Sequence, residues 1–228
     1  MPNDVAGGFS PLKKSLPIFI IIDVSGSMSG DRIAAVNEAM DKLVPEFKDI
    51  AAENGLVDFN VRVITYGNGQ ANWKLGTRIK GISVPDFEWF PISEAEVDGG
   101  TPADKAMDLL ASVSNSREDL GGYIGTPMAI LISDGESNGS IPFATAVDKF
   151  RATKYGDSFI QVAIGIATEN NPRATDELKY FGRNGFKHCT DNPQEIVSKI
   201  KMCTIITIKQ QEESSVKAVA VTEDTEIF

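Results

Sequence analysis

Histidine occurs once and cysteine twice in this chain of 228 residues. Most zinc sites, disulfide frameworks and histidine-based catalytic sets are therefore out of reach. His188 stands beside a lone Cys189, which supplies no zinc-ligand set and no neighbouring nucleophile elbow. Cys189 and Cys203 are expected to be buried free thiols. Long apolar runs are also missing: Ile18–Ile22 is far too short to cross a membrane, and Met1–Pro11 has no apolar stretch of the kind an export signal needs. A cytoplasmic protein is expected on that ground. Positive charge is in deficit, with 22 Lys and Arg against 32 Asp and Glu and a formal charge of −10. No basic cluster offsets it, which argues against a nucleic-acid surface and for a protein partner. The hydrophobic share of 42 % is that of an ordinary globular chain, long enough for one sizeable α/β domain.

What is present is concentrated around Leu16–Gly30, Leu-Pro-Ile-Phe-Ile-Ile-Ile-Asp-Val-Ser-Gly-Ser-Met-Ser-Gly. Ile18–Ile22 is an unbroken β-branched and aromatic run, which predicts a strand buried on both faces in the middle of a parallel sheet. It stops at Asp23, and small or hydroxylated residues follow at the place where open α/β sheets bind ligands. Asp23, Ser25 and Ser27 form an Asp-x-Ser-x-Ser array whose alternate side chains converge if the loop wraps round one point, with Gly26 permitting close backbone approach. One carboxylate and two hydroxyls suit a hard cation, Mg²⁺ above all, which keeps several waters at about 2.0–2.1 Å. The same residues also read as a Ser/Gly turn capping the next helix.

Two later stretches bear on that choice. In Asp98-Gly-Gly-Thr-Pro-Ala-Asp104, Thr101 precedes Pro102 and an apolar helical pattern, so it reads equally as a helix cap. In Met128-Ala-Ile-Leu-Ile-Ser-Asp134-Gly135 a second apolar strand ends at an aspartate that could simply open a turn. Taken together, the three stretches resemble the metal-ion-dependent adhesion site (MIDAS) of von Willebrand factor A (VWA) domains. There an Asp-x-Ser-x-Ser loop, a distal Thr and a distal Asp surround one divalent cation. All five positions are filled, by Asp23, Ser25, Ser27, Thr101 and Asp134. The resemblance implies that Ser25, Ser27 and sometimes Thr101 touch a Mg²⁺, Mn²⁺ or Ca²⁺ ion directly, while Asp23 and Asp134 act through waters. A cation whose nearest protein ligands are neutral hydroxyls keeps much of its charge, and an open position would then favour an incoming Asp or Glu. Asp23 and Ser25 are expected on a surface loop at the strand end, where replacing either leaves the core intact.

The rest of the chain alternates strand and helix patterns. Residues 1–15 read as a flexible leader. Asp31 can cap a helix through Phe47 that Pro45 should kink or divide. Asp58–Tyr66 reads as a strand ending at Gly67-Asn-Gly69, with Asn72–Ile79 returning antiparallel at the sheet edge. Pro85–Pro91 is aromatic without period and is expected to pack over that edge. Helices follow at Ala103–Val113, from Ser140–Pro142 through Phe150, and from Asn171–Pro172 to Gly182. Strands follow at Met128–Ser133, Phe159–Ala167 and Phe186–Cys189, and Asn192-Pro-Gln-Glu195 has capping-box spacing ahead of a last helix. Thr204–Ile208 could be a strand, and residues 206–228 form a polar and acidic extension whose end could dock into the metal site. The predicted fold is a doubly wound α/β domain over residues 16–205, with a mostly parallel central sheet, helices on both faces and an antiparallel edge strand.

Within the VWA family the chain looks most like the bacterial TerY group associated with tellurite resistance and stress operons. The resemblance rests on Leu16–Gly30, on Phe87-Glu-Trp-Phe ahead of Gly99-Gly-Thr101, and on Leu131-Ile-Ser-Asp-Gly135. It implies a scaffold beside a protein kinase and a phosphatase. The expected function is a metal-dependent protein-binding adaptor, not an enzyme, engaging an acidic residue of its partner. The alternatives are a metal-dependent hydrolase or phosphatase, or an extracellular adhesin-type domain. The first is disfavoured because a haloacid-dehalogenase-type site needs a second acid where Ser25 stands.

Overall fold

A computed structural model describes residues 14–53, 57–122, 125–189, 192–205 and 208. The elements in order are β1 (Lys14–Asp23), α1 (Asp31–Glu53), β2 (Val57–Gly67), β3 (Gln70–Leu75), β4 (Ile82–Ser83), α2 (Ala103–Val113), β5 (Met128–Ser133), α3 (Phe143–Arg151), β6 (Ile160–Ile166), α4 (Pro172–Phe181) and β7 (Gly185–Cys189). A last helix, α5, covers 193–205. The sheet order is β3-β2-β1-β5-β6-β7, with β4 also pairing on β2. β1, β2, β5, β6 and β7 run parallel, and β3 and β4 are antiparallel to β2. The doubly wound α/β sheet with an antiparallel edge is therefore the observed architecture.

β1 is central because no face of it tolerates water. Ile18, Ile20 and Ile22 pack with α1, α5 and the 84–97 loop, while Phe19 and Ile21 pack with α2, α3 and α4. All five are fully buried, and each such side chain contributes about 1.5–3 kcal/mol. From β1 the chain crosses by α1 to β2 on one side, and after the β2–β3 hairpin it returns by α2 to β5 on the other. The carboxyl ends of β1 and β5 thus flank a topological switch point, the place where such sheets leave a crevice.

Local chemistry sets the details. Asn68 and Gly69 both have positive φ (46° and 74°), the pair a two-residue hairpin turn requires. β3 ends at Leu75, short of the expected Ile79, because Gly76 turns the chain at φ 74°. Pro45 neither divides α1 nor interrupts it. It lies on the exposed side, where the carbonyl it leaves unpaired can be met by water. Asp31 lies inside the first turn of α1 rather than before it, and the helix starts with Ala34 N–H donating to the Gly30 carbonyl at 3.1 Å. The 85–91 segment packs as expected: Phe87 and Trp89 are buried, leaving Phe90 outside. Asn37 of α1 clamps that segment, accepting from Ile92 N–H and donating to the Ile92 carbonyl, both at 2.8 Å. The expected strand at Thr204–Ile208 is overturned where it is described: Thr204 and Ile205 extend α5, with the Thr204 hydroxyl donating to the Ile200 carbonyl at 2.9 Å. Cys203, expected to be buried, is only half buried. The leader and nearly all of the C-terminal extension lie outside the described residues. No described helix is long and apolar enough to cross a membrane.

Candidate metal centre

Four of the five residues singled out in the sequence are joined side chain to side chain or through the loop backbone at the switch point. Asp23 closes β1, and its Oδ1 accepts the Ser25 amide at 2.8 Å, which folds the loop back over the strand end. The Ser25 and Ser27 hydroxyls are 3.1 Å apart. Ser27 Oγ donates to Asp134 Oδ1 at 2.8 Å, joining the end of β1 to the end of β5. The loop's short 3-10 turn, Gly26–Met28, carries Ser27 between its ends and buries Met28 in the core beside β1.

Thr101 arrives by a different route. Gly26 N–H donates to the Gly99 carbonyl at 3.0 Å and Asp98 N–H to the Val24 carbonyl at 3.0 Å, which laces the 98–101 loop to the Asp-x-Ser-x-Ser loop. Asn138 then fixes the threonine's backbone, accepting from Thr101 N–H at 2.7 Å and donating its own amide to the Thr101 carbonyl at 3.0 Å. The expected helix-capping role does not materialise: α2 starts at Ala103 with Pro102 before it, and no side chain caps it. The Thr101 hydroxyl is thereby left for another use.

The expectation that Asp23 and Ser25 lie on a surface loop needs correcting. Asp23 is fully buried and Ser25 is 1 % exposed, because the 98–101 and 133–138 loops fold over the end of β1. Burial pushes the Asp23 carboxyl from 3.8 up to about 6, against the opposing pull of hydrogen bonds from Ser133 and Ser25. Burial, followed by the charge of Asp23, also drives the Tyr66 hydroxyl upward.

Three participants were not among the residues singled out in the sequence. Ser133 Oγ donates to Asp23 Oδ2 at 2.6 Å, so the residue before the second aspartate supports the first. Asn138 holds Thr101. Arg32, in the first turn of α1, donates from NH1 to the Ser27 carbonyl at 3.1 Å and makes an ion pair with Asp134 Oδ2. The order Ser-Asp-Gly after an apolar strand was a usable signal for Ser133. Arg32 and Asn138 act through contacts 102 and 37 residues away, for which a single sequence carries no marker.

Chemically the set fits a hard divalent ion. Two carboxylates and three hydroxyls offer only oxygen, and no group of three or more His, Cys, Asp or Glu lies close enough among the described residues to favour a softer metal. A polar cavity of about 360 Å³ opens beside the loop, sharing Val24 and Asp98 with it and lined further by Thr65, Asn68, Gln70 and Asn72.

The burial of Asp23 has a pH consequence. An acid whose folded pKa is raised stabilises the metal-free fold below its ordinary value, and that contribution is lost as pH rises through about 6. A cation needs the ionised form, so its binding should release close to one proton at pH 5 and none at pH 8, with affinity falling about tenfold per pH unit below the folded pKa. Mn²⁺ calorimetry in buffers of differing ionisation enthalpy measures the proton count. A pH-independent affinity between 5 and 8 would contradict the assignment of Asp23.

Neither a protein-family model nor a curated protein sequence matches the chain. Solved structures do. The vWF domain of the type V pili tip protein Mfa5 from Porphyromonas gingivalis superposes with a TM-score of 0.59 at 10 % identity, over 88 % of this chain and 97 % of that one. The pilus adhesin SpaC from Lactobacillus rhamnosus GG gives 0.59 at 11 % identity, over 88 % of this chain and 32 % of that one. Proximal thread matrix protein 1 from the mussel byssus, with a zinc-occupied MIDAS motif, gives 0.55 at 17 % identity, over 87 % and 46 %. The chain thus spans about half the length of the mussel protein and a third of the pilus adhesin. At such identities the likeness is one of fold, an α/β architecture of the kind the Mfa5 vWF domain has.

Proposed function

We propose that the chain is a divalent-metal-dependent protein-binding module whose MIDAS-type site is completed by an acidic residue of the partner. The observation that carries the reading is the convergence of Asp23, Ser25, Ser27 and Asp134 at the sheet's switch point, with the Thr101 loop laced to them. Ser25, Ser27 and Thr101 would touch the cation and Asp23 and Asp134 would hold its waters. Mg²⁺ is the first expected ion, with Mn²⁺ or Ca²⁺ as substitutes. The zinc in the mussel protein's MIDAS motif supports divalent binding on this fold without naming the ion here. Residues flanking the partner's acid would meet the polar cavity beside the loop, whose lining includes Lys74, Glu96 and Asp98 as well as the amides.

A catalytic reading has less support. A metal-dependent phosphatase or other hydrolase needs a nucleophile or general base beside the Lewis acid, and the position two residues after Asp23 holds Ser25. We read the module as an adaptor. Its placement in tellurite or stress response, beside a kinase and phosphatase pair, rests on the resemblance of Leu16–Gly30, Phe87–Phe90 and Leu131–Gly135 to the TerY group. The pilus proteins that share the fold support an extracellular adhesin-type role as the second reading.

Immobilised in Mg²⁺, the chain is expected to retain a protein from its native cells that chelator elutes and that Ser25→Ala fails to capture. Retention indifferent to both treatments would remove the metal-dependent reading. The compartment from which the retained protein comes separates adaptor from adhesin.

A further inference from the structure

Arg32 stands at the edge of the candidate centre with part of its hydrogen-bonding capacity unspent. A guanidinium carries five N–H donors in a planar fork. NH1 directs its two at the Ser27 carbonyl and Asp134 Oδ2. Nε and NH2 meet no protein acceptor among the described residues, and the side chain is 37 % exposed, against 1 % for that of Asp134. The arginine is thus anchored at one nitrogen and open at the other two.

Its anchor has a clear cause. The Asp134 side chain is withdrawn from water, and a buried carboxylate without a counter-charge is costly. Arg32 supplies that charge. A divalent cation seated among Ser25, Ser27 and Asp134 must then share Asp134 with a positive group already bound to it, and the two cations repel. The same repulsion leaves the loaded site more positive and more in need of an anion.

We propose that Arg32 is both the internal competitor of the metal and the second contact for the partner's carboxylate. This rests on the metal-dependent reading given above and adds to it the group that selects the ligand. A carboxylate has two oxygens. One completes the cation's coordination and the other accepts from the free Nε or NH2 of Arg32, a contact the guanidinium can add because its anchor and its free donors sit on different nitrogens, whereas an ammonium has one nitrogen for both. A ligand with one charged oxygen, or a neutral amide, loses half of that contact. The site therefore binds metal less tightly than its three hydroxyls and two carboxylates alone would, and prefers an Asp or Glu side chain to other oxygen donors.

The test uses the full chain, Mn²⁺ and ¹³C-labelled acetate, with acetamide as the neutral control. Calorimetry reads the Mn²⁺ affinity, and the paramagnetic broadening of the acetate carboxyl reads its binding to the loaded protein. Arg32→Gln should bind Mn²⁺ about fivefold more tightly and, at saturating Mn²⁺, bind acetate about fivefold more weakly. Arg32→Lys, which keeps the charge and loses the fork, should fall between wild type and Arg32→Gln for Mn²⁺ and alongside Arg32→Gln for acetate. Thermal melts of both variants verify folding. An arginine that merely positions Asp134 would give weaker Mn²⁺ binding in Arg32→Gln, and that result overturns the proposal, as does unchanged acetate binding. Wild-type protein that binds no Mn²⁺ would overturn the metal-dependent reading itself, and the role of Arg32 with it.

Discussion

Replacing Asp23 by Asn is expected to weaken divalent-metal binding about a hundredfold and, at the same time, to stabilise the metal-free protein at pH 8. The two effects have one origin. Asp23 is fully buried at the end of β1, where the Ser133 hydroxyl and the Ser25 amide donate to it and the Ser25 and Tyr66 hydroxyls lie within hydrogen-bonding range. Its pKa of about 6 against an ordinary 3.8 means that ionising it at pH 8 opposes folding by up to about 3 kcal/mol. Asn has the same shape, lets the Ser133 hydroxyl rotate to suit, and carries no charge to desolvate. The metal-free variant should gain about 1–3 kcal/mol at pH 8 and nothing at pH 4, where the native carboxyl is already neutral. Metal affinity should drop about a hundredfold, since even carboxylates that hold a metal through an intermediary are worth about 10–100-fold. Urea unfolding at the two pH values and Mn²⁺ calorimetry at pH 8 give both numbers. A variant that is destabilised at pH 8, or that still binds Mn²⁺ like wild type, would show that Asp23 is a structural cap and not part of a metal centre.

The stability gain also marks what the sequence could not disclose. Ile18–Ile22 and Met128–Ser133 announce buried strands because an unbroken apolar run has no wet face to offer, and each strand's end is marked by an aspartate. That much places the candidate site at the switch point of an α/β sheet. The depth of Asp23 was not legible, because it is set by the 98–101 and 133–138 loops folding over the strand end, and those loops are held by backbone bonds such as Gly26 to Gly99 and Asn138 to Thr101. Backbone groups are common to all residues and leave no trace in composition. Pro45 misled for a related reason: the cost of a missing amide depends on whether water reaches the freed carbonyl, which is a property of the packed helix. Thr204–Ile205 misled because β-branched residues favour strands only until a helix face needs apolar cover. Ile200 and Ile208, fully or nearly buried on either side of them, provide that context. Arg32 reads in sequence as one more charged residue on a helix, and only the fold brings it to Asp134.

The second large effect concerns a glycine that contributes no ligand. A Cβ on Gly67 would lie 2.6 Å from the Val24 carbonyl oxygen and 2.8 Å from its carbon, and the obstruction is backbone, which cannot rotate away. Val24 follows Asp23, its amide donates to the Tyr66 carbonyl at 2.8 Å, and its carbonyl accepts the Asp98 amide that leads to Thr101. Gly67→Ala must therefore push the Asp-x-Ser-x-Ser loop away from β2 and loosen its tie to the Thr101 loop. The expected cost is about 1–3 kcal/mol of folding stability together with about a tenfold loss of Mn²⁺ affinity, because oxygen ligands displaced by a few tenths of an ångström no longer meet a small ion's geometry. Gly69→Ala is the matched control two residues away. Gly69 has φ 74° with nothing within 4 Å of a Cβ, so that change should cost about 1 kcal/mol through backbone strain alone and leave Mn²⁺ binding as it was. Equal losses of metal affinity in the two variants would mean that the site responds to general destabilisation. A loss confined to Gly67→Ala would mean that the spacing of β2 from the end of β1 sets the geometry of the centre.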